Sequence, residues 1–255
     1  MSLLDNIFKK EQCKKNNFCE PSSCTKKIID QLECKYEYFP ASDNDSKLMS
    51  AYKEAVKRSK QDHFTPVIIV CSDTLADWIC EENNANKEIR RKDILSKVTD
   101  GEKYLDNLIA QRRKEYDISD PFEYSDIDGG YAITGFEGYK KYSGGIKETI
   151  IAYIPTDKPY EVFAWIPFGG WNECPCAENM ISVSKYWYEK YGAVPSVITS
   201  DISEFSVRFL TEDEARIVGI QQYALCPDIV DQGVGELGCL IDTLTKSEIW
   251  YFWWD

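Results

Sequence analysis

Apolar residues recur at helical spacing through residues 47–60 (KLMSAYKEAVKRSK). They then close up into a solid run of strand length, Pro66-Val67-Ile68-Ile69-Val70-Cys71. Ser72 or Asp73 is placed to cap a helix through Thr74-Leu75-Ala76-Asp77-Trp78-Ile79. Strand, turn and helix together make half of an α/β repeat. Two more helices are predicted, Arg91 to Val98 and Glu102 to Tyr116, broken at Asp100-Gly101. The second sets Tyr104, Leu105, Leu108 and Ile109 on one face and basic residues at its C-terminal end, where the helix dipole favours them. From Asp117 the chain turns acidic and rich in Gly and Tyr, and residues 121–148 read as a connector or a set of short hairpins.

The second half is more regular. Thr149 to Ile154 and Glu161 to Phe168 are predicted strands, joined by a turn around Thr156-Asp157-Lys158-Pro159. Glu178 to Tyr191 is a helix with Met180, Val183, Trp187 and Tyr191 on its apolar face, and Gly192 stops it. Strands follow at Val194 to Thr199 and Glu204 to Leu210. Thr211-Glu212-Asp213-Glu214 is a capping box opening a helix that reaches Cys226 and ends at Pro227. A helix from Glu236 to Leu244 and a strand from Ile249 to Trp254 complete the order ββαββααβ. The expectation is an α+β domain at 149–255, with a mixed, largely antiparallel sheet and packed helices, preceded by a smaller α/β region at 36–120. In the last strand Trp250, Phe252 and Trp254 should face one way and Tyr251 and Trp253 the other.

Composition adds a core and a charge asymmetry. Aromatic residues make up 13% of the 255-residue chain, and six of the seven tryptophans fall at or after position 165, so core volume is not limiting. The net charge is -13. Residues 149–255 hold 16 Asp/Glu against 6 Lys/Arg, a net of -10, and residues 1–148 hold 27 against 24, a net of -3. Such a surface repels phosphate and anionic lipid, so nucleic acid and membrane are poor partners, and a basic protein or a cationic small ligand suits it better. The plain alternative is charge for solubility. No apolar run approaches the roughly 18 residues of a membrane span. The opening MSLLDNIFKKEQCKK lacks the apolar stretch of a signal peptide. Ten cysteines without that signal suggest reduced thiols in a cytoplasm.

Residues 1–35 form a Cys- and Lys-rich lead-in, expected to be poorly ordered. Leu3, Leu4, Ile7 and Phe8 could make a short amphipathic helix there. Cys13, Cys19, Cys24 and Cys34 stand six, five and ten positions apart in order, wider than a zinc knuckle's tight first pair, so neither a metal nor a cofactor is expected. Gly233-Val234-Gly235-Glu236-Leu237-Gly238 matches the dinucleotide fingerprint in letters only. It lacks the preceding strand, and too few residues follow for the partner acid. His63, the single histidine, reads as a surface or strand-entry residue.

The chemically dense stretch is Gly169-Gly170-Trp171-Asn172-Glu173-Cys174-Pro175-Cys176, at a predicted strand end. A second cluster, Cys226-Pro227-Asp228 and Asp231-Gln232-Gly233, sits at a helix end. If the two converge, Glu173 and Asp228 make a carboxylate pair for acid–base work with Cys174 or Cys226 beside it, or the thiolates and carboxylates hold a metal. The alternative is that Asn172, Glu173 and Asp228 satisfy backbone groups at turns, with both thiols as small buried hydrophobes. Asp255 adds negative charge at the end of the last strand, a local site for a cation or an arginine.

Four motifs fall in order over residues 149–255: Pro167-Phe168-Gly169-Gly170-Trp171-Asn172-Glu173-Cys174-Pro175, Trp187-Tyr188-Glu189-Lys190-Tyr191-Gly192-Ala193, Gln222-Tyr223 with Cys226-Pro227-Asp228-Ile229-Val230 and Gln232-Gly233, and Trp250-Tyr251-Phe252-Trp253-Trp254-Asp255. In these the chain resembles the bacterial family known as domain of unknown function 4253. The resemblance implies a domain boundary and no reaction. Phe64-Thr65-Pro66-Val67-Ile68-Ile69-Val70 with Asp73-Thr74-Leu75 resembles a segment often found upstream of that domain, with His63 standing where a small residue, usually glycine, is expected. The candidate binding residues in these motifs are Trp171, Asn172, Trp187, Tyr188, Tyr191, Gln232, Trp254 and Asp255, and the candidate catalytic residues are Glu173, Asp228, Cys174 and Cys226. The leading expectation is a non-enzymatic interaction or ligand-binding protein, one form of which neutralises a basic protein partner. The rivals are a hydrolase built on Glu173 and Asp228, and a thiolate metal protein.

Overall fold

Val67, Ile68, Ile69 and Val70 are buried on both faces of one strand, which puts that strand at the centre of the fold. The computed structural model describes residues 20–81, 86–115 and 120–255. Helix α1 (Ser23–Leu32) leads into strand β1 (Lys35–Phe39), helix α2 (Ser46–Asp62) and the central strand β2 (Thr65–Val70). Helices α3 (Asp73–Glu81), α4 (Lys87–Ser96) and α5 (Gly101–Glu115) precede the connector and strand β3 (Thr149–Ile154). Then come helix α6 (Ala177–Tyr191), strands β4 (Val194–Ile198) and β5 (Ile202–Ser206), helix α7 (Glu212–Leu225), a π-helix (Ile229–Val234), helix α8 (Leu237–Lys246) and strand β6 (Ile249–Trp253).

The described strands form one six-stranded sheet in the order β1-β3-β2-β4-β5-β6. Neighbours run antiparallel except β2 and β4, which are parallel, with Ile68 opposite Val197. This is the mixed, mostly antiparallel α+β sheet that the sequence predicts. It does not divide at residue 148. Strand β3 lies between β1 and β2, with Ile151 opposite both Glu37 and Ile68, so the 36–120 region and the C-terminal segment share one sheet. The lead-in joins it as well: Cys24, Ile28 and Leu32 of α1 are buried in the main core. Cys13, Cys19 and the Leu3–Phe8 helix lie outside the described residues.

One predicted strand is absent. The run after Pro159 forms a 3-10 helix, Pro159–Ala164, instead of a strand over Glu161 to Phe168. Its apolar residues are still buried, including Val162, Phe163, Ile166 and Phe168. A solid apolar run does not distinguish strand from buried helix by period. Both edges of β3 are taken, by β1 and β2, so the segment cannot pair beside β3 as a hairpin partner.

The main core lies on one face of the sheet, under α1 and α3 to α8. On the opposite face Leu48, Tyr52 and Ala55 of α2 pack with Ile68, Val70, Ile151 and Val197. The connector completes that layer. Phe136 meets Tyr52 edge-on at 5.8 Å, and Tyr139 and Ile146 are buried beside them. The connector is therefore a covering layer; Lys140 bridges Ile146 within it, and Ile146 bridges Ser42 in the turn after β1.

Candidate functional site

The Trp171–Cys174 loop is tightly folded back on itself. The Gly170 N–H donates to the Cys174 carbonyl at 3.1 Å and the Cys174 N–H to the Trp171 carbonyl at 2.9 Å. Gly169 has φ +89°, and a Cβ there would stand 1.8 Å from the Pro175 carbonyl oxygen, so only glycine fits. Asn172 takes the left-handed region, φ +46°, which asparagine tolerates. The second cluster forms where α7 ends at Cys226 and the chain widens into the π-helix from Ile229.

The end of β6 ties the two clusters together. Trp254 is buried against Phe168 and Phe252, at ring distances of 5.6 and 5.9 Å, which fixes where Asp255 emerges. The Asn172 side-chain amide donates to the Asp255 carbonyl at 2.5 Å, and the Asp255 N–H donates to an Asp228 carboxylate oxygen at 3.1 Å. The Gln232 amide donates to the other oxygen of Asp228 at 2.9 Å. Asn172 and Asp228 thus satisfy backbone groups, as turn residues do.

Glu173 and Asp228 line one cleft of about 240 Å³ with Asp231, Arg112, Phe122 and Tyr223. Arg112, near the end of α5, holds Glu173 through two bonds of 2.6 and 3.2 Å. The Tyr223 hydroxyl donates to Asp231 at 2.7 Å, and its ring meets Phe122 edge-on at 5.7 Å. Arg113 already lays its guanidinium 5.5 Å from the centre of the Phe122 ring and bonds Asp120 at 3.0 Å. Carboxylates around aromatic rings are how proteins hold guanidinium and ammonium groups.

The two thiols lie beneath this cleft. Cys226 is buried and donates its S–H to the Trp253 carbonyl at 2.9 Å, and burial pushes its thiol up to about 12. Cys174 is buried too, and desolvation, followed by the nearby Cys226 and Cys176, pushes its thiol well above the ordinary range. Burial thus favours the neutral thiol at both, which disfavours a nucleophilic role. Among the described residues no group of three or more His, Cys, Asp or Glu side chains is placed to hold a metal.

The other candidates go elsewhere. Trp171 faces a separate cavity, packing on Trp78 at 5.3 Å and on Phe168. Trp187 and Tyr191 are buried in the core and have no surface to offer a ligand. Trp187 stacks on Phe252 and donates its indole N–H to the Gln221 side-chain carbonyl at 3.0 Å. Tyr188 lines a different cleft with Tyr52, Phe64 and Asp157. Arg112, Phe122 and Tyr223 are the site residues that the sequence reading left out of its candidates. The basic end of α5 was visible, but the long-range partner of Arg112, Glu173, depends on the fold.

Residues 150–255 match the family model described as Domain of unknown function (DUF4253). No curated protein and no solved structure matches the chain. The DUF4253 segment begins within β3, so it takes in β3 to β6 and α6 to α8 and leaves β1 and β2 outside. Both loops of the acidic cleft belong to the DUF4253 segment, whereas Arg112 and Phe122 come from before it. Gly238 likewise serves the packing of the matched segment against the connector: a Cβ there would stand 1.9 Å from the carbonyl of Asp126.

Proposed function

We propose that this chain is a non-catalytic binding protein whose acidic cleft receives a cationic group, an arginine or lysine side chain of a basic protein partner. The observation that carries the reading is the convergence of Glu173, Asp228 and Asp231 on one cleft walled by Phe122 and Tyr223. The net charge of -10 over residues 149–255 adds long-range attraction for such a partner. Arg113 beside Phe122 and Asp120 is an internal precedent for the seating of a guanidinium there. A reducing bacterial cytoplasm suits the free thiols at all eight described cysteines. Among the described residues no helix is long and apolar enough to cross a membrane.

Calorimetric titration of the full chain with a hexa-arginine peptide tests the proposal. Saturable binding is expected. It should weaken at least tenfold in the Asp228→Asn/Asp231→Asn double variant and fall with added salt. Equal affinity in the double variant would sink it.

A hydrolase using Glu173 and Asp228 is the second reading, favoured by their shared cleft. Two features weigh against it: Glu173 is engaged by Arg112, and burial favours the neutral thiol at both cysteines. Hydrolysis of an ester or glycoside substrate that Glu173→Gln abolishes in a folded protein would establish it.

A further inference from the structure

The acidic cleft already holds a guanidinium, and it belongs to the chain itself. Arg112 of α5 lines the cleft, and its two terminal nitrogens donate to the two carboxylate oxygens of Glu173 at 2.6 and 3.2 Å. Arginine forms this paired, fork-to-carboxylate geometry, and the single ammonium of lysine does not. The Arg112 side chain is 19% exposed and that of Glu173 is 58% exposed. Glu173 is thus open to an incoming group while Arg112 is mostly covered.

Arg112 has a second carboxylate within reach. Glu115, one turn further along α5, lies 3.6 Å from the guanidinium. An arginine between two carboxylates can pass from one to the other without moving its helix and without giving up an ion pair. A second guanidinium on Glu173 with Arg112 still in place would set two like charges side by side, so exchange is favoured over addition. The parts come from both sides of the family boundary. Glu173, Asp228 and Asp231 lie within the DUF4253 segment, and Arg112 and Glu115 lie before it.

We propose, resting on the reading of this cleft as a cation site, that its ligand is an arginine side chain of the partner that takes the place of Arg112 on Glu173 while Arg112 passes to Glu115. Helix α5 then carries a built-in competitor, which sets both the affinity of the cleft and its choice of arginine over lysine.

Calorimetric titration of full-chain variants with hexa-arginine tests the exchange. Arg112→Met removes the competitor and should bind about fivefold more tightly than wild type, the contribution of one exposed ion pair. Arg112→Lys keeps the charge but loses the paired geometry, and should bind about two- to threefold more tightly. Lys114→Met makes the same charge change as Arg112→Met on α5 but outside the cleft lining, and should stay within about twofold of wild type. Glu115→Gln should weaken binding more in the wild-type background than in Arg112→Met. Hexa-lysine, of equal charge, should bind wild type at least about threefold more weakly than hexa-arginine. If wild type binds and neither Arg112 variant binds more tightly, the exchange is overturned and the cation site stands. A gain in Lys114→Met equal to that in Arg112→Met overturns it as well, because charge alone would then suffice. Equal affinity for the two peptides does the same. If neither wild type nor Arg112→Met binds hexa-arginine, the cation site itself is refuted, and the exchange with it.

Discussion

Glu204 is a carboxylate with no exposure, in the middle of β5. It accepts from the backbone N–H groups of Glu137 and Gly138 at 2.8 and 3.1 Å, and so fastens the connector to the sheet. Burial outweighs those bonds and pushes its carboxyl up to about 7. A raised acid favours the folded state while it is protonated, so its contribution is complete below the ordinary carboxylate value and is lost as pH rises through about 7. Glu204→Gln keeps an acceptor and removes the titration. Urea unfolding from pH 4 to pH 8 should show wild type losing up to about 3 kcal/mol relative to the variant, at about 1.4 kcal/mol per pH unit. Parallel curves would refute the assignment. His63 is a residue-scale finding of another kind. It caps α2 in the left-handed conformation at φ +54°, which is the physical reason a glycine is expected at that place. Its ring is exposed and 3.0 Å from Asp157, consistent with a surface residue.

Local signals carry well at the scale of elements. The capping box forms as predicted: Thr211 Oγ accepts from the Glu214 N–H at 3.3 Å, and the Glu214 carboxylate accepts from the Thr211 N–H at 3.0 Å. Thr211→Ala should lower the stability of the whole protein by about 1 kcal/mol, read as a shifted urea midpoint at unchanged slope. Gly192 ends α6 at φ +73°, as expected. The alternation in β6 holds as well, with Trp250, Phe252 and Trp254 buried and Tyr251 and Trp253 half-buried. Short-range chemistry fails at residues 161–168 and at β5. The latter runs over Ile202–Ser206 rather than Glu204 to Leu210, and Phe209 is exposed. In both places the available strand edge, rather than propensity, decides.

The whole molecule is organised by a sheet that the domain boundary cuts through. Residues 149–255 expressed alone would leave both edges of β3 unpaired and strip β4 of β2. That fragment should lack a cooperative thermal transition and dispersed amide resonances, whereas the full chain shows both. A folded fragment would show that the DUF4253 segment carries its own core. The candidate site follows the same logic. The sequence marked Asn172, Glu173, Asp228, Gln232 and Asp255 because rare residue types crowd two loops, and these do meet in space. It could not place Arg112 or Phe122, which reach the cleft from a helix and a connector distant in the chain. Nor could it separate Trp187 and Tyr191, which face the core, from residues at the surface. By itself the sequence determined most of the helices after residue 46, the capping box of α7 and the glycine stop of α6, the alternation of β6, the α+β class and the acidic character of the C-terminal part, all set by neighbours within a few residues. It missed α1, which the lead-in forms against the core. The tertiary structure alone decided the strand order, the refusal of residues 161–168 to join the sheet, and which side chains share a cavity. Those depend on which edges and faces remain free once the chain is assembled.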